Sequence, residues 1–197
     1  MLEVVADFET TGQANYNKYG YVHVWQWQVR RIDNYKIIGQ GANIDSFFDF
    51  IQKQSLKIYF HNLKFDGMFI LSELFKRGYK HVPSLKDTQE NKVFETLITD
   101  LEVFYCIKIR HVYHSKKPVI THIWDSFKKL PLSVAKIGKA FGLECAKGQI
   151  DYDKFREVGY EPTPAEWEYI NNDTLIVAQA LHKQKEKGLD KMTIGAD

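Results

Sequence analysis

The first strand is the tightest constraint on this chain. Residues Glu3-Val4-Val5-Ala6-Asp7-Phe8-Glu9 carry apolar side chains at 4, 5, 6 and 8, the composition of a strand in the middle of a sheet. Side chains on a strand alternate faces with a period of two, so Asp7 and Glu9 point the same way, close enough to share a divalent cation. A D-x-E pattern alone is common, and its ordinary reading is a solvated strand face. In a central strand, however, neighbouring carboxylates are costly unless a cation neutralises them. Metal binding therefore ranks ahead of the solvated face.

The rest of the chain supplies a sheet around that strand. Thr10-Thr11-Gly12 opens a polar turn, and residues 21–29 alternate and are rich in β-formers. Asp33-Asn34 reads as a hairpin turn into residues 35–38, which makes a three-strand meander. Asn43 fits a helix N-cap, with Ile44, Phe47, Phe48 and Ile51 at helical spacing. Residues 56–60 read as a short strand. Asp66 is expected to start a second helix, with Met68, Phe69, Leu71, Leu74 and Phe75 as its apolar face and Gly78 as its stop. Two more strands are expected at 103–109 and 119–124, joined by a hairpin loop over 110–118, followed by a helix over 132–141. The last helix opens with Thr163-Pro164-Ala165-Glu166, a capping box with proline at the first helical position, and Trp167, Ile170, Val177 and Leu181 mark its buried stripe. With no repeat or linker, residues 1–197 read as a single α/β domain, a mixed central sheet flanked by helices.

Charge narrows the function classes. The chain has 27 Lys and Arg against 25 Asp and Glu, a formal net charge of +2. Any nucleic-acid binding must use a local groove rather than a global positive field. With 13 Phe, 11 Tyr and 4 Trp the chain has ample core, so wholesale disorder is excluded. Cys106 and Cys145 lie outside any C-x-x-C spacing, which argues against a disulfide framework or a zinc knuckle. No apolar run approaches the length of a membrane span and no cleavable signal opens the chain, so a protein of the cell interior is expected. His111, His114 and His122, with Arg110, Lys116 and Lys117, read as a solvated hairpin loop. Lys128 and Lys129 read as surface lysines, and Trp25, Trp27 and Trp124 as core or cross-strand partners.

Two more acids stand out. Asp66 closes Tyr59-Phe60-His61-Asn62-Leu63-Lys64-Phe65-Asp66, where a strand gives way to a helix, a usual place for functional side chains in α/β folds. Asp173 stands four residues after Tyr169, so phenol and carboxylate share one helix face. Singly, each has an ordinary explanation: a first-turn helix acid, and a chance pair. Together and in order, a strand D-x-E, an N-x-x-F-D at a strand-to-helix junction and a Y-x-x-x-D on the last helix resemble the DEDD exonucleases of the tyrosine subtype. Oxygen-only ligands select hard cations such as Mg²⁺ or Mn²⁺. Two such ions can activate water and stabilise the leaving oxygen in phosphodiester hydrolysis.

The wording is closer still to one family. Ala6-Asp7-Phe8-Glu9-Thr10-Thr11, residues 59–67, Asp125-Ser126-Phe127-Lys128-Lys129-Leu130-Pro131, Lys147-Gly148, Ile150-Asp151-Tyr152 and Tyr169-Ile170-Asn171-Asn172-Asp173 resemble the protein-primed family B DNA polymerases of small terminal-protein phages. The similarity covers nearly the whole chain and corresponds to their N-terminal 3′–5′ proofreading exonuclease domain, of ribonuclease H-like fold. The resemblance implies that Asp7, Glu9, Asp66 and Asp173 hold two metal ions, that Tyr169 orients the attacking water, and that Lys147 assists near the scissile phosphate. It implies further that Thr10, Tyr59, His61, Asn62, Phe65, Ser126, Phe127 and Tyr152 contact the single-stranded 3′ end. Phe127 stands where the family has leucine, and Gln149 where an acid is familiar. The implied partners are a DNA 3′ end, a polymerase domain and a terminal protein, in a host bacterial cytoplasm if the chain is phage-encoded. The polymerase half has no counterpart in these residues, which fits either an excised domain or a free-standing nuclease. Rival readings are a non-cutting single-strand or protein-binding module and an RNA-directed exonuclease.

Overall fold

The computed structural model describes residues 1–101, 103–112, 118–143 and 150–197. Its elements in chain order are β1 (Leu2–Thr10), α1 (Gln13–Tyr19), β2 (Val24–Arg31), β3 (Ile37–Gly41), α2 (Ile44–Ile51), β4 (Leu56–Phe60), α3 (Leu63–Lys76), β5 (Lys80–His81), β6 (Val93–Ile98), β7 (Phe104–Arg110), β8 (Ile120–Asp125), α4 (Val134–Ala140) and α5 (Pro164–Glu186). The strands form one mixed sheet in the order β3-β2-β1-β4-β8-β7-β6-β5. β1, β4 and β8 run parallel at its centre, flanked by the antiparallel β2 and β7. The chain is thus an α/β domain whose opening strand is central. No described helix is long and apolar enough to cross a membrane.

The period-two alternation of β1 divides the interior. Val4, Ala6 and Phe8 enter one core with Phe47, Phe48 and Ile51 of α2 and Leu63, Ile70 and Leu74 of α3. Val5 enters the second core, with Ile137 of α4 and Ile176, Val177 and Leu181 of α5. Asp7 and Glu9 share the parity of Val5 and therefore face α5. The predicted caps form: Asn43 accepts from the Ser46 amide, and Thr163 and Glu166 close a reciprocal capping box. Trp25 and Trp27 are buried.

Four expectations are corrected. The polar stretch after Thr10 contains α1, whose one buried residue is the polar Asn15, so no apolar stripe announces it. On α3, Met68 and Phe75 are exposed, and the buried face is Leu63, Gly67, Ile70 and Leu74. A Cβ on Gly67 would lie 3.1 Å from the Phe104 ring, so this helix packs on β7 through a glycine that hydrophobic patterning cannot see. His111 is buried, bonded through Nδ1 to the Tyr79 hydroxyl at 3.0 Å and through Nε2 to Thr121 Oγ1 at 2.9 Å. Burial drives its pKa down to about 4, which keeps the ring neutral. Lys129 is buried too, donating to the carbonyls of Leu189 and Lys191 at 3.0 and 2.9 Å and pairing with Asp197 at 2.7 Å, which fastens the C-terminal segment to the domain. His114, Lys116, Lys117, Cys145, Lys147, Gly148 and Gln149 lie outside the described residues.

Candidate active site

Three parallel strands end on one edge of the sheet, where α/β folds place ligands. A cavity of about 780 Å³ opens there. β1 delivers Asp7, Glu9 and Thr10 to it, and the segment leaving β4 delivers His61 and Asn62. The first turn of α3 brings Phe65 and Asp66, the turn after β8 brings Phe127, and α5 brings Asp173. One carboxylate oxygen from each of Asp7, Glu9 and Asp173 falls within 4.8 Å of the other two. Glu9 and Asp173 are buried and Asp7 partly so. Three carboxylates this close repel strongly in a low dielectric, and an all-oxygen set of this size suits a hard divalent cation.

Asp66 lines the same cavity but stands outside that tight trio. It is 4% exposed, and its Oδ1 has no hydrogen-bond partner among the described residues. Burial, then the charge of Asp7, then that of Asp125, hold its pKa well above the usual carboxylate range. A buried oxygen without a donor beside three more carboxylates is a further place that fits a cation.

Tyr169 is buried one turn of α5 before Asp173, with its hydroxyl 2.9 Å from that of Tyr152. Burial raises its pKa, and the charges of Asp173, Glu9 and Asp7 raise it further, so the phenol stays neutral and able to donate. The loop that carries Tyr152 is tied down from below. The Arg156 amide donates to Asn15 Oδ1 at 3.1 Å, and the Asn15 amide group donates back to the Arg156 carbonyl. The Arg156 guanidinium is 1% exposed, pairs with Glu166 at 2.8 Å and lies 4.1 Å from the Trp25 ring. Gly12 allows the close approach: a Cβ there would stand 2.5 Å from the Tyr152 carbonyl oxygen. Nothing in the local sequence marks Asn15 or Arg156, because both earn their place through contacts distant in sequence.

Phe65, Phe127 and Tyr152 are exposed around the cavity, and His61 holds a tilted ring contact with Phe127 at 5.5 Å. His61 Nε2 donates to the Leu132 carbonyl at 2.8 Å. Thr10 is 7% exposed and lines the wall. Two of the sequence-derived contact residues sit elsewhere. Tyr59 is 4% exposed in the second core, edge-on to Trp124, and does not line the cavity. Ser126 is fully buried, donating to the Phe60 carbonyl and meeting His61 Nδ1 at 3.1 Å. Ser126 therefore supports His61 from beneath and is not itself part of the cavity wall.

The family described as DNA polymerase type B, organellar and viral, matches residues 49–194. The chain is 42% identical over 195 residues to the DNA polymerase of Bacillus phage Nf and 41% identical over 192 residues to that of Bacillus phage phi29. Each match covers 97% of this chain and 32% of the relative, so the chain spans about a third of their length. Among solved structures, Phi29 DNA polymerase complexed with single-stranded DNA matches with a TM-score of 0.89 and 37% identity, over 99% of this chain and 33% of that one. The ternary complex of Phi29 DNA polymerase with primer-template DNA and incoming nucleotide substrates matches with a TM-score of 0.88, again at 37% identity, over 99% and 33%.

Proposed function

The chain belongs to the type B DNA polymerases of organelles and viruses, and on that premise we propose that it is their metal-dependent 3′–5′ exonuclease domain, removing nucleoside monophosphates from a single-stranded DNA 3′ end in proofreading. The observation that carries this reading is the convergence of Asp7, Glu9 and Asp173 within 4.8 Å, beside Asp66 and Tyr169, in a cavity rimmed by aromatic side chains. Asp7, Glu9, Asp66 and Asp173 would hold two Mg²⁺ or Mn²⁺ ions. When bound, such ions supply a lowered water pKa and charge stabilisation on the leaving oxygen.

The chain's own residues do the rest. Tyr169, neutral and donating, orients the attacking water, and Tyr152 fixes the phenol's direction. Phe65 and Phe127 offer ring faces to terminal bases, and stacking accepts any base, as proofreading requires. Thr10, Asn62 and His61 line the backbone's course. Lys147, outside the described residues, would meet charge on the scissile phosphate. The partners are then a DNA 3′ end and the polymerase domain that such a nuclease serves, in a host cytoplasm.

A 5′-labelled single-stranded DNA oligonucleotide incubated with Mg²⁺, with and without EDTA, beside an RNA oligonucleotide, tests the reading. Stepwise 3′ shortening of DNA that EDTA abolishes supports it. Binding without shortening would make the domain a single-strand-binding module, and preferential RNA shortening would make it an RNA exonuclease.

A further inference from the structure

Asp125 is the last residue of β8, 3% exposed, and pairs with Phe60 across the parallel β4–β8 ladder. Its Oδ1 accepts three backbone N–H groups: Asn62 at 3.1 Å, Leu63 at 3.2 Å and Phe127 at 3.0 Å. The first two belong to the segment that leaves β4 and opens α3, and the third to the turn that leaves β8. One oxygen thus fastens together two segments more than sixty residues apart in sequence. Asn62 is left-handed there, with φ 69° and ψ 57°, a conformation that asparagine adopts more readily than most residues other than glycine. Oδ2 lies 3.4 Å from the Lys128 ammonium, which is partly exposed.

Both segments carry the cavity's aromatic rim. His61 and Asn62 flank one side and Phe65 follows within a turn of helix, while Phe127 stands on the other and its ring meets His61. We infer that Asp125 is a positioning residue for the single-strand track: its Oδ1 holds the His61–Phe65 segment and the Phe127 turn in one fixed register, and it touches no substrate itself. The inference rests on the exonuclease reading only for what the track binds, since the three-way hydrogen bond is a property of the fold. The acceptor oxygen matters more than the charge. Asparagine keeps that oxygen, alanine removes it, and serine offers a shorter one that serves an amide two residues on but cannot span to the α3 segment.

Two measurements on the 197-residue chain test this: amide hydrogen exchange at Asn62, Leu63 and Phe127, and affinity for a fluorescent single-stranded oligonucleotide in EDTA, where nothing is cut. Asp125→Ala is expected to speed exchange at all three amides by tenfold or more and to weaken affinity about tenfold. Asp125→Asn is expected to stay within about threefold of wild type in both. Asp125→Ser should keep protection at Phe127 and lose it at Asn62 and Leu63, which keeps the inference testable should the alanine variant fail to fold. Unchanged affinity in a folded alanine variant, loosening of one segment alone in that variant, or an asparagine variant that behaves like alanine would overturn it. A wild-type chain without affinity would instead remove the single-strand reading, and the exchange pattern alone would then decide the role of Asp125.

Discussion

The hydroxyls of Tyr152 and Tyr169 meet at 2.9 Å beside the carboxylate cluster, joining a surface loop to the long helix that carries Asp173. Tyr169→Phe removes the group that would orient water and leaves the ring's packing in place. Its turnover on single-stranded DNA should fall by about a hundredfold, with affinity changed less than about threefold. Tyr152→Phe, which removes only the partner, should cost about tenfold in turnover. Single-turnover rates read beside binding constants separate the two effects. A large loss of affinity with unchanged turnover in Tyr169→Phe would place the phenol on the strand and away from the water.

The carboxylates should trade stability for activity. Asp7→Asn, Glu9→Gln, Asp66→Asn and Asp173→Asn are each expected to lower the cleavage rate by roughly a thousandfold, equivalent to about 4 kcal/mol of lost charge stabilisation. In EDTA the same variants should melt at or above the wild-type temperature, since each relieves repulsion among buried like charges. Asp66→Asn should show the largest gain, because its carboxyl is buried and its Oδ1 has no hydrogen-bond partner among the described residues. Adding Mg²⁺ should raise the melting temperature of the wild type and much less that of the variants. Thermal scans with and without metal would expose a contrary result directly, since a wild type indifferent to Mg²⁺ removes the cluster as a metal site.

The site was legible in sequence where its residues follow local periodicity. The parity of β1 put Asp7 and Glu9 on one face, and the capping box placed the start of α5, hence the phase of Tyr169 and Asp173. What escaped depends on distant partners. Asn15, Arg156 and Glu166 form a buried polar clamp from three separated segments, and a buried arginine looks like any surface arginine in a sequence. His111 escaped for the same reason: basic residues follow it in the sequence, but at the end of β7 it packs between two hydroxyls in the interior. Tyr59 lies within the most telling motif and yet faces the core, because its strand parity matches Val5. Asp125 showed only as the first letter of a motif whose serine drew the attention.

Acid should loosen the fold in two separable windows. His111 is neutral in the fold with a pKa of about 4 against 6.5 when unfolded. The unfolded chain binds the extra proton first, so stability is lost as pH falls from about 6.5 towards 4, by up to roughly 3 kcal/mol. Glu166 works lower down. Although burial alone would raise its pKa, the Thr163 amide, Arg156 and Tyr160 together draw it down to about 2 from 4.5. Its contribution is full above about pH 4.5 and disappears as pH falls through about 2. Urea titrations across pH should show His111→Gln flattening the upper window only. Glu166→Gln should flatten the lower one and, by leaving Arg156 buried without its counter-charge, cost about 3 kcal/mol at neutral pH. A single acid transition unaffected by His111→Gln would contradict this division.

Phe65 sets the last prediction, which concerns the form of the substrate. The ring is 53% exposed at the cavity mouth, one residue before Asp66 and edge-on to Phe69 at 5.7 Å. A proofreading site must accept a frayed 3′ end and refuse a paired one, because base pairing competes with entry into the cavity. Unpairing costs a few kcal/mol, so a blunt duplex end should be cut at least about tenfold more slowly than a single strand, with a mismatched end between them. Stacking on Phe65 would offset about 1–3 kcal/mol of that cost for one base. Phe65→Ala should therefore weaken single-strand affinity by roughly tenfold, leave the Mg²⁺-induced rise in melting temperature intact, and widen the gap between single-stranded and mismatched ends. Initial rates on single-stranded, mismatched and blunt 3′ ends measure the substrate order and the gap, while a binding titration in EDTA and a thermal scan with Mg²⁺ measure the other two. Equal rates on the three, or preferential attack at 5′ ends, would rule out proofreading even for an active nuclease, because the cavity would then be indifferent to the fraying that proofreading must detect.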